Sequence, residues 1–128
     1  MRSSATAPVP IEPASRRALG LVGLAARSRN LVAGTAQVRD AARGRRVALV
    51  LIATDASDNA RGKVMPLLAA TGIEMIERFD RATLGTAAGR APVSAIGITD
   101  ASLATRIRSL LSTGEMPGPA QAPEQTTG

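Results

Sequence analysis

Seven consecutive apolar residues, Val47-Ala48-Leu49-Val50-Leu51-Ile52-Ala53, lie between Arg46 and Thr54-Asp55. A strand with one wet face alternates apolar and polar side chains, so an unbroken run predicts a strand covered on both faces. Such a strand needs helices above and below its sheet, and it should occupy the centre. The flanking segments alternate between helix-like and strand-like patterns. Ser15 is expected to cap a helix carrying Leu19, Val22 and Ala26 on one stripe and Leu21, Leu24 and Ala25 beside it, ending near Arg27-Ser28-Arg29-Asn30. Leu31-Val32-Ala33 reads as a short strand. Gly34-Thr35 opens a second helix with Val38, Ala41 and Ala42 inward, Gln37, Arg39, Asp40 and Arg43 outward, and a stop at Gly44.

Beyond the central strand, Ser57 or Asp55 should cap a helix reaching Ala70, which Pro66 is expected to kink or restart by removing a backbone donor. Glu74 to Phe79 reads as a strand, Arg81 to Ala88 as a short helix and Val93 to Ile98 as a strand. Ala101 to Leu111 closes the series as a helix with Leu103, Ile107, Leu110 and Leu111 inward. Strands separated by helices predict an α/β fold, a mostly parallel or mixed sheet sandwiched by helices. Residues 1–13, with Pro8, Pro10 and Pro13, and residues 114–128 lack an apolar period and are expected to be disordered tails. One domain over residues 14–113 remains.

Composition narrows the function. The chain has no His, Cys, Trp or Tyr, and Phe79 is its one aromatic. The usual general base, thiol nucleophile and zinc ligands are therefore missing, so neither catalysis nor a metal or other cofactor is expected. Residues 14–63 carry ten Arg or Lys against three Asp, whereas residues 64–113 carry five Arg against four acids. A local cationic excess attracts polyphosphate through Coulomb focusing and counterion release. Single-strand readers stack bases on several aromatics, which this chain cannot do, so the shape, phosphates and purine edges of folded RNA are the better match. The start Met1-Arg2-Ser3-Ser4-Ala5 lacks the apolar stretch of a signal peptide, and no run approaches the roughly 18 apolar residues of a membrane span. A soluble cytoplasmic protein with no membrane partner is expected, and the absence of cysteine suits a reducing compartment.

Three motifs invite a sharper reading. Asp55 at the end of the central strand stands where a phospho-acceptor or metal carboxylate would, but Asp55, Ser57 and Asp58 are more simply caps of the next helix. Gly62-Lys63 is followed by Val64 and preceded five residues earlier by Ser57, so it fails the phosphate-loop pattern. Gly85 and Gly89 read as a close helix contact and a helix terminator. The junction from Arg27 to Gln37 is more informative: a short strand feeds a helix whose N-terminal amides can hold a phosphate or base edge, with Arg27, Arg29, Arg39 and Arg43 supplying charge.

The stretches Ala18 to Arg27, Leu31 to Thr35, Leu49 to Ser57, Leu84 to Gly89 and Ile96 to Asp100, in this order and spacing, resemble the L-seven-Ae/L-thirty-e ribosomal-protein superfamily, most closely its bacterial YlxQ-like members. The resemblance implies a three-layer α/β/α sandwich with a four-stranded mixed sheet, and non-catalytic binding of kink-turn-like RNA. In kink-turn-binding relatives the helix opened by Gly-Thr presents an Asn-Glu pair and, three residues on, a Lys, which together read sheared G·A pairs. Here Gly34-Thr35 is kept, the pair is Ala36-Gln37, and Asp40 holds the Lys position, where Arg39 or Arg43 would have to neutralise it. An apolar loop before the last strand packs on an extruded nucleotide in those relatives, and Arg90, Ala91, Pro92 and Val93 stand there. The partners implied are structured RNA, with ribosomal RNA foremost, and other ribosome-associated proteins. An RNA-recruiting domain working with a separate RNA-modifying enzyme, and a protein-interaction module, are the alternatives.

Overall fold

The computed structural model describes residues 12–115. Of the two expected tails, residues 1–11 and 116–128 lie outside the described residues. Nine elements follow in order: α1 Pro13–Arg27, β1 Leu31–Ala33, α2 Thr35–Arg43, β2 Leu49–Ile52, α3 Asp58–Thr71, β3 Met75–Glu77, α4 Arg81–Ala88, β4 Ala95–Ile98 and α5 Ala101–Glu115. The strands form one sheet in the order β1-β4-β2-β3. β4 runs antiparallel to both neighbours, pairing Leu31 with Ile98 on one side and Leu49 with Ile98 on the other, while β2 and β3 are parallel with Val50 opposite Met75. The sheet is mixed.

Side-chain alternation along the two central strands builds both core layers. Leu49, Leu51, Ile96 and Ile98 point to one face and pack with Ala18, Val22, Leu84, Ile107 and Leu111 of α1, α4 and α5. Val50 and Ile52 point to the other, against Val38, Ala41, Val64 and Leu68 of α2 and α3. All four residues of β2 and all four of β4 are buried, as a strand covered on both sides requires. Each buried Leu or Ile contributes roughly 1.5–3 kcal/mol, so this run supplies much of the stabilisation. Gly97 is needed within β4 because Val47 and Val32 close over it: a Cβ there would lie 2.8 Å from Val47 Cγ1 and 3.0 Å from Val32 Cγ2.

Four local expectations change. α1 begins at Pro13, where a missing donor is harmless, and not at a Ser15 cap. Ser15 lies inside the helix, 2% exposed, and its Oγ accepts from the Arg78 guanidinium at 3.0 Å. Arg78 also pairs with Glu12 at 3.5 Å and lies over the Phe79 ring, tying the exit of β3 to the start of α1. Ser57 alone caps α3, whose assignment runs unbroken through Pro66. Asp55 instead accepts from the Arg81 backbone N–H at 2.8 Å, so its carboxylate serves the start of α4. The strands are shorter than the apolar runs, although Ala48 and Ala53 still donate to Ile98 and Ser94.

Candidate nucleic-acid interface

β1 and β4 are antiparallel, so the end of one meets the start of the other. The Gly34 N–H donates to the Ala95 carbonyl at 2.9 Å, which sets the first turn of α2 beside the start of β4, the strand that the segment Arg90-Ala91-Pro92-Val93 leads into. Gly34 has φ +99°, a conformation that favours glycine, and it stands at the N-cap of α2 without a side-chain cap. The later helices are closed. Ser57 accepts from the Ala60 N–H at 3.1 Å, Asp80 from the Thr83 N–H at 2.7 Å and Asp100 from the Leu103 N–H at 2.8 Å. The opening amides of α2 and the positive end of its dipole are therefore left to solvent or a ligand. Ala36 and Gln37 are exposed there; Gly34 and Thr35 are half-buried.

The opposing loop is held against α4. Gly89 ends that helix with φ +75°, the Arg90 N–H donates to the Gly85 carbonyl at 2.8 Å, and the Val93 N–H donates to the Arg81 carbonyl at 3.2 Å. Gly85 lets the loop lie flat: a Cβ would come within 2.7 Å of the Ala91 carbonyl carbon and 2.8 Å of the Pro92 Cα. Val93 packs onto the core, while Arg90, Ala91 and Pro92 stay exposed. Gly85 is the residue whose role the sequence hid. Its helix contact is the loop itself.

Most cations at this end of the sheet are already paired. Arg61 bonds Glu77 and donates to the Thr54 and Ala56 carbonyls at 3.0 and 3.2 Å, fastening the β2–α3 turn. The hydrogen bond from Arg61 holds the Glu77 carboxyl below the usual carboxylate range, and the same bond raises Arg61. Hydrogen bonds from Thr83 likewise depress Asp80. Arg81 pairs with Asp55 at 3.7 Å. Asp40 is neutralised by Arg46 at 3.0 Å, and by neither Arg39 nor Arg43 as the sequence suggested.

The structure places Gly34, Thr35, Ala36 and Gln37 at the end of the sheet where the Arg90–Val93 loop leads into β4, with Arg39 one turn along α2 and its Nε buried without a partner. It does not bring Arg27, Arg29 and Arg43 there. Arg27 ends α1 and Arg29 precedes β1, while Arg43 ends α2, so all three sit at the opposite pole, where β4 finishes. Two turns define that pole. The Thr99 N–H donates to the Asn30 carbonyl at 2.9 Å and the Ala48 N–H to the Ile98 carbonyl at 2.8 Å, placing the α1–β1 and α2–β2 turns on either side of the β4 terminus. Arg45 and Arg46, not singled out by the sequence, belong to the second turn. Charge counted along the chain concealed this, because α1 and α2, packed on opposite faces of the sheet, both end at this pole.

Among the described residues no group of His, Cys, Asp or Glu could hold a metal ion, and no helix is long and apolar enough to cross a membrane. A family model described as the Ribosomal protein L7Ae/L30e/S12e/Gadd45 family matches residues 16–107. Among solved structures, a protein of unknown function from Bacillus halodurans is similar at 31% identity and TM-score 0.71, covering 75% of this chain and 97% of that one. The 15.5 kD RNA-binding protein of Giardia lamblia has a TM-score of 0.66 at 18% identity, covering 88% and 96%, and so shares the fold. Curated protein sequences yield no significant match. With the three layers, the strand order and a family match spanning both core faces, this chain belongs to the Ribosomal protein L7Ae/L30e/S12e/Gadd45 family.

Proposed function

We propose that the mouth between the α2 N-terminus and the Arg90–Val93 loop binds a sharply bent, kink-turn-like segment of structured RNA, in ribosomal RNA or a ribosome-associated RNA of the cytoplasm. One observation carries the reading: the Gly34–Ala95 hydrogen bond ties an uncapped helix start to the strand that an exposed apolar loop leads into. Free amides and a positive dipole end suit a phosphate or purine edge. Ala91 and Pro92 offer an apolar shelf for a base turned out of its stack. Gln37 can both donate to and accept from a base edge, whereas Ala36 cannot. Asp40, drawn to Arg46, faces phosphate as part of an ion pair and not as a bare charge. Ribosomal-type family membership and the RNA-binding neighbour of the same fold support RNA as the ligand class.

The test compares two RNAs, a duplex interrupted by tandem sheared G·A pairs and a plain duplex of equal length. Wild-type protein should prefer the first, and Gln37→Ala should lower that preference by about 1 kcal/mol, roughly fivefold, since one hydrogen bond to a base edge is lost. Equal weakening on both RNAs would remove Gln37 from base recognition.

A further inference from the structure

The ends of α1 and α2 share one local design. In each, the second residue past the helix lies in the left-handed region and two backbone bonds close the terminus: Arg29 N–H to the Ala26 carbonyl and Asn30 N–H to Ala25 in α1, Arg45 N–H to Ala42 and Arg46 N–H to Ala41 in α2. Glycine is the usual occupant of that left-handed position because any Cβ is strained there. This chain uses glycine at the equivalent places, Gly72 after α3 and Gly89 after α4. After α1 and α2 it has Arg29 at φ +64° and Arg45 at φ +55°. Each of these is preceded, two residues back, by another Arg, Arg27 and Arg43. The two Arg-x-Arg turns flank the end of β4, each leading from a helix on one face of the sheet into a strand, β1 or β2, that lies beside β4.

Helix-dipole complementation accounts for one cation in the last turn of each helix, Arg27 and Arg43. It does not account for Arg29, which lies past α1 in a conformation that arginine tolerates poorly; Arg45, in the same conformation past α2, donates one guanidinium N–H to the Thr71 carbonyl at the end of α3 at 3.1 Å and is otherwise exposed. Among the described residues, Arg27, Arg29 and Arg43 make no ion pair, and all three are exposed. Arg46 meets Asp40 through a pair left 59% and 77% exposed, which a phosphate can readily displace. At the Gly34 end, by contrast, Arg61, Arg78 and Arg81 are all engaged by carboxylates.

We infer that this pole is a second RNA-contacting surface, in which Arg27, Arg29, Arg43 and Arg45 grip a run of backbone phosphates while the mouth at Gly34 reads bases. The inference rests on the proposed RNA binding and divides its labour: affinity set by salt at one end of the sheet, selectivity at the other. An RNA arm leaving the mouth along the exposed face of α2 reaches the pole at Arg43 and Arg46.

The test uses the full chain carrying Arg29→Gly and Arg45→Gly, a pair of changes that relieves backbone strain at both turns against the loss of one exposed hydrogen bond from Arg45 to the Thr71 carbonyl. Binding to the kinked and plain RNAs is titrated against salt. The melting temperature should hold or rise, while the slope of log affinity against log salt becomes shallower by about 2 on both RNAs. Adding Arg27→Gln and Arg43→Gln should bring the change to roughly 3–4, with the preference for kinked RNA kept, whereas Arg→Lys at 27 and 43 should leave the slope at its wild-type value. An unchanged slope in the double-glycine protein overturns the inference, as does binding of anionic phospholipid vesicles through these arginines with no change on RNA. Loss of kink preference in the wild type would instead refute the mouth and leave the slope measurement standing.

Discussion

Replacing Gly85 by Ala sets two known effects against each other. In the middle of α4, Ala is favoured over Gly by about 1 kcal/mol because the unfolded chain loses less freedom on forming helix. At this position the new Cβ would stand 2.7 and 2.8 Å from backbone atoms of Ala91 and Pro92, and backbone cannot swing aside as a flexible side chain does. Forcing a methyl group into a closed contact typically costs 1–3 kcal/mol, so the net result should be roughly neutral to 2 kcal/mol less stable. Gly62, exposed on α3 with nothing within 4 Å of its Cβ position, is the control. Gly62→Ala should stabilise by about 1 kcal/mol. Urea unfolding of both variants reads the difference, and each kcal/mol is worth about 4–8 °C in melting temperature for a domain of this size. Because the loop must move, Gly85→Ala should also erode the preference for kinked RNA without altering the salt slope. If Gly85→Ala stabilises as Gly62→Ala does and leaves RNA preference intact, the close approach of loop and helix is not what shapes the mouth.

Two further outcomes follow from the core and the ion pairs. Leu51, wholly buried between the sheet and α1, α4 and α5, should cost about 2–5 kcal/mol when cut to Ala, a large share of the 5–15 kcal/mol typical of a domain. A loss below about 1 kcal/mol in urea titration would contradict the two-sided burial of β2. The Glu77 carboxyl is held down by Arg61, so its folded value lies below its unfolded one. The stability this adds is present above the unfolded value of about 4.3 and is lost as pH falls through the folded value. The gap in melting temperature between wild type and Glu77→Gln should therefore be constant above about pH 5 and shrink in acid. A gap independent of pH would show that the ion pair is not its source.

Much of the fold was legible in the residues. Val47 to Ala53 announced a strand covered on both sides, the stripe Val38-Ala41-Ala42 faces the core, and Gly44 and Gly89 stand at helix ends. Local backbone chemistry and hydrophobic period determine these features, and both are written in neighbouring residues. The α2 start was readable for the same reason, since Gly34 and Thr35 mark it without tertiary help. Ser15 misled because capping chemistry also suits a buried hydroxyl, and its partner Arg78 is 63 residues away.

The placement of charge belonged to the tertiary structure alone. Arg27, Arg29, Arg39 and Arg43 looked like one cluster because they are close in the chain, yet a helix of nine residues carries its two ends about 13 Å apart. The antiparallel pairing of β1 with β4 sends Gly34 to one end of the sheet and Arg29 to the other, and the return of α2 delivers Arg43 to the same end as Arg29. Sequence determined which segments become helix and strand and which faces they bury, because those preferences act over a few residues. Only the packing of the sheet decided which arginines share a surface, because that depends on strand order and direction, quantities set by contacts between residues far apart in the chain.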